Sequence, residues 1–383
     1  MSLFLLTFLL IYGSVHAYAL LKVKAAFALG WGTTLPFLPL LALLLFAPIL
    51  TYLLERHGLE TAARVFAFVG YTWMGLLFLF MTLNLAADAV TLATRIGSAV
   101  AGGNGNRGAV AFDGRRTILF LAALAVSLGA YSAFEASRIG VVRLRIVTDK
   151  LPASVPRLRI AQISDLHLGL INRHRMTRAV AEILRDASPD LLVSTGDLVD
   201  GRIDHIPGLA EIFRAVPAPR GKFAVTGNHE YYAGLPQALS FTRRAGFTVL
   251  RDDDADVSGI LRFAGVDDPA APFGNASDSA EGRILDGPSP APFTVLLKHR
   301  PALRPASAGK FDLQLSGHTH GGQIFPFRFV SRLAYPLGAG DHPVEGGGTL
   351  HVSRGTGTWG PPMRFLAPPE ITIIDIERSP AAS

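Results

Sequence analysis

The stretch "SGHTHGGQIFPF", residues 316–327, places two histidines one residue apart between glycines, directly after the apolar run "FDLQL". In an extended segment, side chains at i and i+2 point to the same side, so His318 and His320 can converge on one point. Convergent imidazoles at a strand end suggest a metal ion, but an HxH pair alone fits a solvated or a satisfied buried pair equally well. The remainder of the chain has to separate these readings.

The 383 residues are 49% hydrophobic, which is high for a wholly soluble protein and points to two differently composed parts that meet near residue 139. There is no cysteine. Disulfides, thiolate metal sites and cysteine nucleophiles are thereby excluded, and any metal must use His, Asp, Glu or Asn. The net charge is +6: residues 1–139 hold nine Lys/Arg against five Asp/Glu, and 27 against 25 remain afterwards. The second part carries no basic run interleaved with aromatics, so no nucleic-acid partner is expected.

Residues 3–21, "LFLLTFLLIYGSVHAYALL", carry no charge over a length that spans roughly 28 Å at about 1.5 Å per residue. With the apolar runs at 35–54, 65–87 and 117–134, this predicts four transmembrane helices. The "AYA" at 17–19 also has signal-peptidase spacing, but no basic residue precedes the first run. His16 and Asn84 read as helix-packing polar residues, and "AGGNGNRG" at 101–108 as a flexible connector. Helices three and four hold no ionisable pair of the kind that marks an ion pathway. Lys22 and Lys24 follow the first helix while nothing basic precedes it, so the expectation is an integral membrane protein with both termini, and the part that follows the helices, outside the cytoplasm.

From Gly140 onward, short apolar strands alternate with amphipathic segments. "GVVRLRIVT" and "PRLRIAQIS" read as strands, and "RHRMTRAVAEILRDA" aligns Met176, Val180, Ile183, Leu184 and Ala187 on one helical stripe. The pattern continues through "DLLVSTGD", "GKFAVTGNHE", a helix near 235–245, "LRFAGV", "FTVLLKH" and "FDLQLSGH", which predicts a layered α/β domain. Such folds gather reactive groups on loops beyond the strand ends. Here those loops are "SDLHLG" with Asp165 and His167, "TGDLVDG" with Asp197 and Asp200, "TGNHEYY" with Asn228, His229 and Glu230, "LLKHRP" with His299, and "SGHTHGG". Each alone has an ordinary explanation as a cap, a turn or a core histidine. Five strand ends that each deliver oxygen or nitrogen donors do not.

Two divalent cations roughly 3.5–4 Å apart need a bridging carboxylate and several further donors around each ion. Asp197 is the expected bridge. A donor set of imidazoles, carboxylates and an amide suits Mn, Fe or Zn, manganese first, better than the all-oxygen cages of Mg or Ca.

The ordered set DxH, GDxxD, GNHE, an isolated His and GHxH resembles the calcineurin-like metallophosphoesterases. "GHTHGGQ" together with "VSRGTGTWGPPMRFLAPPEI" resembles their membrane-associated bacterial branch, which includes vertebrate transmembrane relatives. The fold this implies is a four-layer α/β sandwich of mixed sheets flanked by helices, residues 140–383, preceded by an all-α transmembrane region of about four helices, residues 1–139. The resemblance implies one metal on Asp165, His167, Asp197 and His320, and the other on Asp197, Asn228, His299 and His318. His229 becomes the imidazole that gives a proton to the leaving oxygen, with Glu230 or Asp200 fixing its tautomer. Asp200 also fits a purely structural role in holding the GNHE turn.

The function these readings favour is hydrolysis of a phosphodiester, pyrophosphate or phosphomonoester by hydroxide held between the metals. A substrate that is a lipid headgroup or nucleotide-linked lipid, and a catalytically silent membrane sensor, are the competing readings. The pocket walls that would decide, such as 267–292, carry no recognisable code, and oligomeric state is not encoded in any motif. "DDDAD" at 252–256 reads as a solvated turn, Asn275 as a chance sequon, and His174, His205, His342 and His351 as ordinary residues. Tyr231, Tyr232, Arg300 and Arg364 read as packing or surface residues before substrate contacts.

Overall fold

A computed structural model of the chain describes residues 2–101, 112, 114–203, 206–270, 278–287 and 292–380. His205, Asn275, most of the 101–108 connector and parts of 267–292 lie outside the described residues. The chain separates into two compact units: Met1–Phe134 with Gly360–Met363, and Glu135–Trp359 with Arg364–Ser383.

Among the described residues of the first unit, four helices are long and apolar enough to cross a membrane: Leu5–Ala26, Trp31–Arg56, Glu60–Val100 and Arg115–Ala136. Leu, Ala and Phe favour helix and leave nothing to hydrate in lipid. The third helix is longer than the apolar run at 65–87. It continues to Val100, about 60 Å at 1.5 Å per residue, because "DAVTLATRIGSAV" contains no proline and only one glycine to stop it. That extension carries Asp88, which accepts a hydrogen bond from Tyr18 at 2.8 Å and pairs with Lys22. His16 is buried, with Nε2 accepting from Trp73 Nε1 at 3.0 Å, so it packs helices as expected. The buried Asn84 turns its amide back to the Phe80 carbonyl at 2.9 Å.

The second unit is built on two six-stranded sheets. Its strands are β1 (Gly140–Thr148), β2 (Arg157–Ile163), β3 (Leu191–Ser194), β4 (Lys222–Ala224), β5 (Thr248–Val249), β6 (Asp253–Val257), β7 (Leu261–Gly265), β8 (Phe293–Leu297), β9 (Leu313–Ser316), β10 (Gly340–Pro343), β11 (Thr349–Val352) and β12 (Glu370–Arg378). One sheet runs β1-β12-β2-β3-β4-β5 and the other β10-β11-β9-β8-β7-β6. Within them, β2 to β5 and β7 to β9 are parallel, so the C-terminal ends of these strands lie on one edge of each sheet.

Period-two alternation sorts the core. Leu158 and Ile160 of β2, with Leu191 and Val193 of β3, meet Phe263, Val295 and Leu315 of the second sheet in one buried layer. Ala161 and Ile163 turn the other way, against Val180, Leu184, Phe213 and Phe241 of the helices His174–Ala187, Leu209–Arg214 and Leu235–Arg244. On the far side, Ala264 and Leu296 receive Ile284 and Leu285 of the helix Asp278–Leu285. Helix, sheet, sheet, helix is the four-layer order expected from the sequence. Gln162 ties the sheets beside their C-terminal edges, donating to Thr195 Oγ1 at 3.0 Å and to the Ser316 carbonyl at 3.1 Å.

One local reading is corrected. "DDDAD" is largely strand: β6 begins at Asp253 and pairs antiparallel with β7. It lies at a sheet edge, where charged side chains reach water and discourage further pairing, and Asp254 takes a 2.9 Å ion pair from Arg262.

Candidate metal centre

The five polar loops follow β2, β3, β4, β8 and β9. Asp165, His167, Asp197, His318 and His320 all have φ between 50° and 72°, the left-handed region that side-chain-bearing residues rarely occupy. Such strain at five positions of one edge is the pattern of a functional site held by its surroundings. Two glycines make the approach possible: a Cβ at Gly227 would collide with the Asp197 carboxylate, and one at Gly317 with that of Asp165.

Asp165, His167 and His320 form one buried group of donor atoms within 4.8 Å of one another, and Asp197, His299 and the partly buried His318 form a second group as close. His167 Nε2 and His320 Nε2 are 3.0 Å apart, as are His318 Nδ1 and His299 Nε2. Asp197 Oδ2 lies between the groups, 3.1 Å from His299 Nε2 and 3.8 Å from His167 Nε2. The Thr195 carbonyl at 2.9 Å takes the proton of His299 Nδ1, which leaves the Nε2 lone pair facing the Asp197 carboxylate. A lone pair opposite an anion repels unless a proton or a cation stands between them. Burial opposes charge on His299, yet Asp197 and Asp165 pull it up to about 10, so the field favours positive charge there. Asn228 Oδ1 is buried without any hydrogen-bond partner, an orphan that a cation would satisfy. These donors fit two divalent cations.

The Asp197 carboxylate is kept ionised. Burial alone would raise Asp197, but His299, His229 and His167 hold it well below the usual carboxylate range. His320 is kept neutral by burial, by His167 and by Arg364, whose Nη2 lies 3.2 Å from its Nδ1. Arg364 is fully buried and spends its other N–H groups on the carbonyls of Gly357, Arg354, His320 and Ala367. It braces the GHxH loop, a role the sequence did not single out.

His229 stands beside these two groups and makes a third with His167 and Asp197, edge-on to His167 with ring centroids 4.6 Å apart. Its Nδ1 lies 2.5 Å from Asp200 Oδ1, and its backbone N–H donates to Asp197 Oδ1 at 2.8 Å. Burial works against its charge, but Asp197 and Asp200 raise it to about 9. Asp200 Oδ1 is also 3.4 Å from His167 Nδ1, too poorly aligned for a hydrogen bond, so that nitrogen is left without one. Glu230 does not reach His229 Nδ1. Its carboxylate accepts from the backbone N–H of Gly227 at 2.7 Å, Leu198 at 2.8 Å and Asp197 at 3.0 Å, which locks the GDxxD and GNHE loops together.

Of the other residues weighed, Tyr232 and Trp359 are exposed with rings 5.2 and 5.6 Å from His229, and Arg300 is held by Asp268 at 2.7 and 2.8 Å. His351 is satisfied by Asp341 and Thr372, and His174 and His342 each reach a backbone carbonyl.

Residues 158–322, which include every one of the five loops, match the Calcineurin-like phosphoesterase family. An uncharacterised metallophosphoesterase of Aquifex aeolicus is 40% identical over 256 residues, 66% of this chain and 98% of that protein. One from Helicobacter pylori is 33% identical over 60% of this chain and 61% of its own length. A transmembrane protein with metallophosphoesterase domain from Danio rerio is 31% identical over 322 residues, 79% of this chain and 70% of that protein. With these likenesses over the loops that form the centre, the chain belongs to the calcineurin-like metallophosphoesterases, in a form that also carries four membrane-length helices.

Proposed function

We propose that the protein is a membrane-anchored, dinuclear phosphohydrolase acting on a phosphodiester, a pyrophosphate or a phosphomonoester. The observation that carries this is Asp197 Oδ2 set between two imidazole-rich donor groups. In this reading Asp165, His167, Asp197 and His320 hold one cation, and Asp197, Asn228, His299 and His318 the other, with manganese the first choice before iron or zinc. Two such ions supply an acidified water and charge stabilisation at phosphorus.

The chain's own residues do the rest. Asp200 occupies His229 Nδ1, so Nε2 is the nitrogen free to give a proton to the departing oxygen. The raised pKa keeps that proton in place at neutral pH. Glu230 acts on position alone, fixing the backbone that presents Asp197 and His229. The GHTHGGQ loop supports membership of the membrane-associated bacterial branch, and Lys22 and Lys24 directly after the first helix support a catalytic domain outside the cytoplasm. A C-terminal alkaline phosphatase fusion active in intact cells agrees with that side, and cytoplasmic reporter fluorescence without such activity contradicts it.

The test of function is turnover by purified full-length protein reconstituted with Mn, Fe or Zn. Substrates are bis-p-nitrophenyl phosphate, p-nitrophenyl phosphate, nucleoside diphosphate conjugates and phospholipids. Metal-dependent hydrolysis of at least one is expected, and hydrolysis of none with any of the metals refutes the reading.

A further inference from the structure

Next to the GHxH loop, on the side of the helix Arg328–Ala334, lies a cavity of about 170 Å³. Its walls include Thr319, Arg328, Ser331, Arg332, Tyr335 and Arg354, and among the described residues no carboxylate lines it. Thr319 is the residue between His318 and His320, and the Tyr335 ring stands edge-on to His318 with centroids 5.0 Å apart. The cavity therefore begins one aromatic ring away from the candidate metal centre.

Its three guanidinia are only partly used. Arg354 pairs with Glu370, but its Nε is buried without a partner. Arg328 gives Nη2 to the Leu366 carbonyl and sits over the Phe325 ring at 5.5 Å, and its Nε is likewise buried and unpartnered. Among the described residues, Arg332 pairs with no carboxylate and is exposed. Like charges gathered around one small space repel unless an anion joins them, and unpaired buried N–H groups cost free energy. Guanidinium forks match phosphate oxygens better than a point charge does, and the space suits a phosphate group rather than a lone water.

We propose that this cavity is a subsite for a second phosphate of the substrate, tethered to the group hydrolysed at the metal centre. It deepens the hydrolase reading and rests on it. The preferred substrate then carries two phosphorus centres, as a diphosphate or a phosphorylated ester, and a simple monoester fills only half of the site. The second phosphate can belong to a soluble diphosphate or to a lipid headgroup. The outer side of the same helix exposes Phe329, Val330 and Leu333, which makes the lipid source worth a separate arm.

The experiment is calorimetric titration of full-length protein in detergent, stripped of metal by chelation and dialysis, with inorganic pyrophosphate and, separately, with short-chain phosphatidic acid. Saturable binding of at least one is expected, weakened about tenfold or more in both Arg332→Gln and Arg328→Gln. Arg332 is exposed and pairs with no carboxylate among the described residues, so its replacement leaves the fold intact even if that of Arg328 does not. Binding of pyrophosphate alone identifies a soluble diphosphate, and binding of phosphatidic acid alone identifies a lipid source. Either supports the subsite. No saturable binding of either probe, or binding that is unchanged in Arg332→Gln, overturns it. Because no metal is present, the titration reads the subsite even if the metal-loaded enzyme turns over nothing, which would instead refute the hydrolase reading.

Discussion

Replacing Asp200 with Asn separates the two imidazoles that share its carboxylate. Oδ1 lies 2.5 Å from His229 Nδ1 and 3.4 Å from His167 Nδ1. Asn keeps the shape and an accepting oxygen but removes the charge. Against the opposing effect of burial, Asp197 and Asp200 are the leading causes that raise His229 from 6.5 to about 9. Losing one of the two is expected to lower it by about one pKa unit, or about 1.4 kcal/mol against the charged imidazole. A pKa about one unit lower still leaves the imidazole mostly protonated at pH 7, so kcat there falls by much less than the roughly 10²–10⁴ that a general acid contributes, and the change shows in the pH profile. The sign follows from the role: an acid must be protonated, so activity is present below its pKa and is lost as pH rises through it. Removing Asp200 moves that alkaline limb toward lower pH by about one unit. The assay is a pH profile of kcat with metal content measured in parallel by plasma mass spectrometry. An unshifted limb together with loss of one metal ion refutes the reasoning, because it places the work of Asp200 on His167.

His229→Ala is expected to retain both metals while kcat falls by about 10²–10⁴, less for substrates with good leaving groups. Collapse of metal content makes His229 a ligand, which its proximity to His167 and Asp197 allows. A third prediction concerns folding: Asp375 on β12 faces Arg159 on β2 and pairs with it and with Arg157, each at 2.8 Å. Burial raises its pKa somewhat, but the two arginines hold it below the usual value. A depressed carboxylate stabilises the fold above its unfolded pKa, so Asp375→Asn lowers the Tm at pH 7, and the difference from wild type shrinks as pH falls below the usual aspartate range and through the folded-state pKa. A pH-independent difference in Tm means that packing, not charge, is lost.

Much of the centre was legible because its loops are short and local. Asp165 and His167, Asp197 and Asp200, and Asn228 to Glu230 each sit within a few residues of a strand end, so the chain order of the motifs already gives their order around the edge of the sheets. Which carboxylate reaches His229 was not legible. The spacing offered either Glu230 or Asp200 and gave Asp200 the alternative role of holding the GNHE turn, whereas Glu230 binds the loop backbone and Asp200 faces His229. Arg364 was legible as a packing or surface residue but not as the brace of the GHxH loop, because its partners are carbonyls, which no side-chain pattern reveals. The strand at "DDDAD" escaped because edge strands tolerate charge, and the helix reaching Val100 escaped because its end lies beyond the apolar window. The arginine-lined cavity draws on Thr319, Arg332 and Arg354, which only folding brings together.

The central claim is that one carboxylate, Asp197, joins two metal sites. Its most direct test is the metal content of the purified full-length chain after reconstitution and gel filtration, for wild type and for Asp197→Ala, with hydrolysis measured on the same samples. The account predicts two ions per wild-type chain, with both occupancy and turnover lost in the variant while the fold persists by circular dichroism. An Asp197→Ala protein that still holds two ions and turns over at the wild-type rate would contradict it.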